Sequence, residues 1–428
     1  MKGPFLGARR RARRAAAWIA ASVVASGAWA QSGTDAASVV GIKAGPVIIA
    51  PSLAVGYAYD SNVLQLPADV NPEPDEILTL QPAIQITIPF SNSSFRIGDV
   101  LTYVDYNQTP QTQGKTANDA VADLTLNFGS LDQLEISAHN IVGVAATLAF
   151  DPGGEVGFQG NTFTLHKEAV IFSRLLPGAR GYRFGLERNA LRFDPSITVN
   201  FYNHRGFDGE AAYFQPLSPN TRLAFGYLGS RYDQYDAQNP STLSRTESGD
   251  IVYGQIEGQL GPRQPYMVRL GWDHLAFGGT QTQATGDFSG VIGQVNLSAI
   301  VGGGTAFFVA VQRQPYRSYD ASNSFYVSNL AVGSVERRFL GGTSVGGSVL
   351  FSINGYRQIS SSTNDATQVT TYYYREDRRV QLEAHANLEL AERVAFRVSL
   401  ARNRRYSNAP GADYNTTVFF GGFVLGWI

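Results

Sequence analysis

Residues 379–390, RVQLEAHANLEL, alternate without a break between apolar and polar side chains. Val380, Leu382, Ala384, Ala386, Leu388 and Leu390 fall on one side of an extended strand. Arg379, Gln381, Glu383, His385, Asn387 and Glu389 fall on the other. Side chains of a strand point alternately to its two faces, so this segment has one apolar face and one wholly polar face. Val394, Phe396, Val398 and Leu400 continue the rule against Arg393, Ala395, Arg397 and Ser399. Phe419, Phe423, Leu425 and Trp427 then line one face of a final strand. Such strands belong either to a soluble sheet packed on one side or to a barrel with lipid outside and water inside.

The opening residues carry an export signature. Lys2, Arg9, Arg10, Arg11, Arg13 and Arg14 form a basic stretch without an acid, residues 15–24 are apolar, and Ala28-Trp29-Ala30 before Gln31 fits a small-x-small cleavage site. The apolar run is too short to cross ~30 Å of hydrocarbon, so residues 1–30 are expected to be a cleaved signal peptide. Its removal takes away six positive charges and leaves 28 basic against 35 acidic residues, a balance of −7. A mildly acidic chain is a poor match for nucleic acid. Cysteine is absent, so an exported chain has no disulfide framework and must be held by a core or by sheet closure. No later apolar run approaches the ~20 residues of a membrane helix, which excludes helical spanning.

Residues 31–46, Ala/Ser/Gly-rich and without a period, read as a mobile periplasmic tail. Residues 47–428 read as an all-β, antiparallel transmembrane barrel of about eighteen strands. The connections carry the decisive signal, because they alternate in kind. Tight turns fall at 91–94, 129–132, 177–180, 218–220, 261–264, 302–304, 341–343 and 391–392. Between them lie longer polar loops such as 108–117, 151–161, 236–244, 280–287 and 360–371, with 320–323 the shortest. Short turns at one end and longer loops at the other are the layout of an outer-membrane barrel with both termini in the periplasm. A soluble sandwich or propeller has strands of ~5–6 residues and edges that need protection. These strands are about twice that length.

Alternation places Asp123, Arg183, Glu187, Glu257, Arg269, Asp273, Arg379, Glu383, Glu389 and Arg397 on the polar face, which would line the lumen. Both signs are present, so strong selection for one ion charge is not expected. These groups either contact a substrate or merely solvate the wall. Arg231-Tyr232, Tyr316-Arg317, Tyr356-Arg357 and Arg405-Tyr406 recur at the long-loop ends of strands. They suit either a girdle against outer-membrane lipid and lipopolysaccharide, or strand ends reaching into solvent. Barrels of ~16–18 strands leave an aqueous channel. Trimeric diffusion porins fold a long third loop with a Pro-Glu-Phe-Gly type motif into that channel. Residues 151–161, DPGGEVGFQGN, are short and lack it. Narrowing would then fall to wall side chains such as Tyr372, Tyr373 and Tyr374, or the lumen would be wide.

Catalysis finds little support. His139, His166, His204, His274 and His385 are scattered singly, without metal-ligand spacing, and no nucleophile elbow or triad order is present. Residues 319–323 and 363–365 lack the D-x-D-x-D-G pattern of a calcium loop. Neither an enzyme nor a cofactor or metal is expected.

Residues 51–64, PSLAVGYAYDSNVL, lead a strand into Tyr59 and an Asp-x-Asn-Val turn at Asp60, Asn62 and Val63. This opening resembles that of the β-barrel porin 2 family, and length, strand number and repeat style extend the resemblance over most of the chain. The resemblance implies a Gram-negative outer-membrane barrel, often linked to exopolysaccharide synthesis and secretion. Some members of the family are regarded as the port for the polymer, working with a periplasmic polysaccharide export protein. The last strand also resembles the signal read by the outer-membrane barrel-assembly machinery. Gly422, Leu425 and Trp427 have the usual spacing, but Phe420 replaces a polar residue and Ile428 follows the terminal aromatic. The expected function is passage of secreted polysaccharide across the outer membrane. The alternatives are a general or selective diffusion porin for small solutes, and a structural or adhesive surface barrel closed by its loops.

Overall fold

A strand that buries neither face in protein can satisfy its backbone only through neighbours on both edges, and the chain provides them all the way round. The computed structural model describes residues 41–108, 115–143, 162–193, 202–236, 243–278, 286–318, 323–364 and 369–426. The expected signal segment, the loop 151–161 and Trp427 lie outside these residues. A short strand, β1 (Ile42–Ala44), precedes β2 (Val47–Asp60), β3 (Asp75–Phe90), β4 (Ser93–Tyr106), β5 (Lys115–Phe128) and β6 (Asp132–Gly143). The chain continues through β7 (Phe163–Leu175), β8 (Gly181–Phe193), β9 (Tyr202–Ser218), β10 (Thr221–Asp236), β11 (Leu243–Gln259) and β12 (Pro265–Gly278). It ends with β13 (Phe288–Val301), β14 (Thr305–Arg317), β15 (Phe325–Arg338), β16 (Ser344–Asn364), β17 (Val369–Ala391), β18 (Val394–Ser407) and β19 (Tyr414–Gly426). Each strand from β2 onward pairs antiparallel with the next, and β19 pairs with β2, closing an eighteen-strand barrel.

The shortest of these eighteen strands has 12 residues. Tilted as barrel strands are, it still rises about 30 Å, enough to cross an apolar band of ~25 Å. Alternation sorts the side chains as the sequence predicts. Leu186, Val252, Leu270, Leu382 and Leu400 stand exposed on the outside, an apolar belt far larger than a soluble monomer presents. Tight turns reverse the chain at one end of the barrel, where Gly341 and Gly342 supply left-handed residues (φ 85° and 79°) between β15 and β16. Two segments differ from the sequence reading. Ile42–Ala44, within the expected tail, pairs with β2 from Ile42↔Ile49 to Ala44↔Val47. Residues 360–371, expected as a loop, are mostly strand, because β16 and β17 pair on to Asn364↔Val369.

The closing seam accounts by contact for the residues singled out at both ends of the barrel sequence. Outward, Tyr59 lies opposite Phe419 and Val55 opposite Phe423; inward, Ala58 lies opposite Phe420 and Gly56 opposite Gly422. A Cβ at Gly56 would meet the Phe420 ring at 2.3 Å, and one at Gly422 would meet it at 2.5 Å. The phenylalanine that departs from the assembly pattern thus fills room that these two glycines leave. Of the assembly-signal residues, Gly422 faces inward in this joint and Leu425 faces out.

Above Asp60↔Val418 the seam's ladder stops, and the Asp60–Val63 turn takes over. Ser61 N donates to Thr417 O (3.0 Å) and Thr417 N donates to Ser61 Oγ (2.8 Å). Asn62 N donates to Asp60 Oδ1 (2.9 Å), while Asn62 Nδ2 donates to Leu66 O (2.7 Å) and Asn415 O (3.2 Å). Leu66 N returns a bond to Asn62 Oδ1 (2.8 Å). Asn62 is fully buried, so its removal strands these groups. Asn62→Ala is expected to cost about 2 kcal/mol, from three modest bonds and a buried amide left unpaired. Urea unfolding in lipid vesicles checks it, and an unchanged midpoint would mean the turn plays no part in closure.

Candidate functional site: a lumen narrowed from one side

All ten residues that alternation assigned to the lumen lie on the inner face, but they do not form one site. Asp123 pairs with Arg96 across β4–β5. A second group runs across β8–β12. Arg183 forks onto Glu210 (2.7 and 2.8 Å), Tyr253 Oη donates to Glu210 (2.5 Å), Arg269 Nε donates to Gln255 Oε1 (2.8 Å), and Glu257 pairs with Arg222. Glu187 and Asp273 sit further along the same wall, towards the long-loop end. A third group is on β17–β18, where Glu383 lies 3.3 Å from Arg397 and 3.7 Å from His385, and Arg379 Nη2 donates to Gln381 Oε1 (3.1 Å). Glu389 sits beside Gly342 at the tight-turn rim.

Aromatic rings hold several of these guanidinium groups against the wall. Arg269 lies 4.3 Å from the centre of the Tyr253 ring and Arg222 lies 4.6 Å from that of Phe214. The rings themselves lie over glycines: a Cβ at Gly226 would meet the Tyr253 ring at 2.2 Å, and one at Gly206 would meet Tyr232 at 2.3 Å. The inner wall is therefore a mosaic of paired charges and flat rings, polar enough to stay wet and fixed in shape.

The narrowing comes from the β14–β15 hairpin. Arg317, at the end of β14, forks onto Glu247 of β11 (2.7 and 3.0 Å) and lies 3.7 Å from the centre of the Tyr232 ring of β10. Arg245 of β11 donates to Asn323 O at the hairpin tip (2.9 Å), and Ser318 N donates to Ser324 O (3.1 Å) to close it. Three strand spacings, about 14 Å, separate β11 from β14 along the wall. A side chain alone does not reach that far, so the hairpin has left the wall and leans across the lumen. Its seat is apolar. Phe325 and Val327 pack with Leu275, Phe288 and Ile292, which line the inner face of β12 and β13. The Phe325 ring stacks on Phe277 at 5.6 Å and meets Phe288 edge-on at 5.7 Å.

On the other side of the hairpin, Tyr326 is fully buried, 5.7 Å from Tyr316 and 5.4 Å from Tyr356 between ring centres. Tyr356 donates to Asp377 (3.1 Å), which also binds Arg375, Arg405 and Ser407. These contacts correct the girdle reading for five of its residues, while Tyr406 is exposed on the outside. Tyr232, Tyr316 and Tyr356 face inward, and Arg317 and Arg405 form ion pairs inside the barrel. Tyr374, expected to narrow the lumen, is exposed on the lipid-side register of β17; the side chains of Tyr372 and Tyr373 lie outside the described residues. The histidines stay apart: His139 bonds Asp119 (2.6 Å) on β5–β6, and His204 packs edge-on against Tyr232.

Sequence reading missed Glu247, Arg245, Arg317 and Asn323 as a group. A signal was available: Phe325, Tyr326 and Val327 are apolar on both faces, which marks a strand buried on both sides.

No protein-family model matches the chain, and no curated protein matches it. Among solved structures it is similar to the FrpB iron transporter of Neisseria meningitidis (F5-1 variant, apoprotein), with a TM-score of 0.50 and 10% identity. The match covers 87% of this chain and 64% of that one. The outer membrane protein OpdK of Pseudomonas aeruginosa matches at 0.48 and 12% identity, over 89% of this chain and 99% of that one. The siderophore receptor PirA of the same organism matches at 0.48 and 10%, over 89% and 80%. The likeness is one of fold.

Two outcomes test this site. Arg317→Ala leaves Glu247 buried without its partner, which weakens the hairpin's seat by about 3 kcal/mol. Single-channel conductance in planar bilayers should then rise; an unchanged value would place the hairpin off the conduction path. Arg379→Glu combined with Arg397→Glu should raise the cation-to-anion permeability ratio several-fold, read from the reversal potential in a salt gradient. No change would remove β17 and β18 from the permeation wall.

Proposed function

We propose that this protein is a channel of the Gram-negative outer membrane that passes hydrophilic molecules. The observation that carries the reading is the inner face, lined over most of the wall by paired charges and polar groups, within a closed barrel whose outside is apolar. Such a wall replaces water around hydroxyl-bearing solutes without offering a deep binding well, which suits traffic rather than capture.

The cargo proposed is secreted polysaccharide, supported by the resemblance of residues 51–64 to the β-barrel porin 2 family. Transport at this membrane would be passive, with energy supplied by synthesis or by a periplasmic partner. The hairpin seated on Glu247 and the β12–β13 wall favours a second reading, a selective porin for small solutes, because it narrows one side of the lumen.

Extracellular polysaccharide, quantified in a deletion strain and in the same strain carrying the gene, separates the two. Loss of polymer restored by the gene is the expected result. Normal polymer with slowed uptake of small solutes would replace the polysaccharide reading with the porin reading.

A further inference from the structure

The hairpin's departure leaves a slot in the wall. The ladder between β13 and β14 runs upward from Val301↔Thr305 and stops at Gly293↔Arg313. On its outer sides, β12 stays paired to β13 as far as Leu275↔Phe288, and β14 stays paired to β15 as far as Arg317↔Phe325. Phe288–Ile292 of β13 and Gln314–Arg317 of β14 therefore border a gap with no ladder across it. Pro315 stands in the position that would face Val291 if the register continued. It has no N–H to give, a residue suited to an open edge. At the β19–β2 seam, where the ladder also stops short, turn bonds from Ser61 and Asn62 fill the space.

The gap begins about 20 Å above the periplasmic turn, near the upper margin of a ~25 Å apolar belt, and so opens at the level of the outer leaflet. Its lipid side carries Val291 and Val311, both exposed. Its inner side is apolar, formed by Leu275, Phe288, Ile292, Phe325 and Val327, and a second apolar cluster of Ala310, Leu330, Val332 and Leu350 adjoins it on the inner face of β14–β16. Apolar surface thus runs unbroken from the lumen to the lipid, with the Arg317–Glu247 pair and Arg245 above it on the lumen side.

We propose that this slot is a lateral port for a single-chain amphiphile, whose alkyl chain passes between β13 and β14 while its polar head stays in the lumen. The hairpin tip is the port's inner cover. The proposal rests on the wall's geometry and is independent of which hydrophilic cargo uses the main channel.

The absence of cysteine allows a direct test on the full chain in phosphatidylcholine vesicles. A nitroxide is attached at Ile292→Cys, on the slot's inner border, and separately at Asn296→Cys, on the same face where Asn296↔Ala310 is paired. Gln314→Cys repeats the measurement from β14, should Ile292→Cys fail to fold. The port requires the ratio of oxygen to nickel-chelate collisions to be several-fold higher at 292 and 314 than at 296. It also requires dodecanoate, but not acetate, to slow the nitroxide at the slot and leave 296 unchanged. Water-like accessibility at 292 and 314, or no response to dodecanoate, would overturn it.

Discussion

A backbone amide in hydrocarbon has no water to bond, and an unpaired one costs several kcal/mol, so a sheet in a membrane must have no edge. Most of this barrel follows from that constraint, and the unpaired stretch between β13 and β14 is its departure. The constraint fixes the antiparallel neighbours, the even strand number that brings β19 back to β2, and the exposure of leucine, valine and phenylalanine on the outside. The demand is hardest to meet where the two ends of the chain join. There the ladder alone is too short, and side chains of the Asp60–Val63 turn continue it by bonding to Asn415, Thr416 and Thr417. Below them, Phe420 over Gly56 and Gly422 locks the register of the seam, because a one-residue slip would drive a Cβ into the ring.

The inner face obeys a different rule. Ion pairs in contact with water contribute little stability, about 1 kcal/mol or less each, so the pairs of Arg183 with Glu210 and of Arg397 with Glu383 do not hold the barrel together. Their consequence is geometric. Each long side chain lies flat on the wall, tied to an acid and in several cases to a ring beneath, and the lumen keeps a fixed outline. Backbone, not side chains, then sets its width, and the β14–β15 hairpin is where backbone enters.

Most of the fold is legible in the sequence because its signals are local. The turns at 261–264 and 302–304 and the loop at 280–287 bracket β12 and β13, and alternation along them sorts apolar from polar side chains. Residues 360–371 mislead because β16 and β17 extend past the region that needs an apolar face, and Ser/Thr-rich sequence there looks like loop. The hairpin is harder. Arg317 and Glu247 are 70 residues apart, and by parity Arg317 belongs on the lipid side of β14. Only when the strand leaves the wall does that side chain turn to the lumen. The Asp60-Asn62-Val63 motif shows the converse case: it served as a family mark, and its physical work as a clasp becomes visible only with β19 in place.

The inward hairpin inverts the logic of its own strands. Phe325 and Val327 share a parity with Val335, which faces lipid, yet both are buried against the inner wall. Were β14 and β15 to stay in the wall to their tips, these residues would meet lipid at no cost and β13 would keep its partner. The hairpin forgoes that ladder and gains in exchange the two-bond charge pair of Arg317 with Glu247 and the packing of Phe325 and Val327 on β12 and β13, since leaving lipid brings no hydrophobic gain. The same apolar side chains are satisfied against the inner wall as they would be against lipid, so they do not by themselves decide where the hairpin lies.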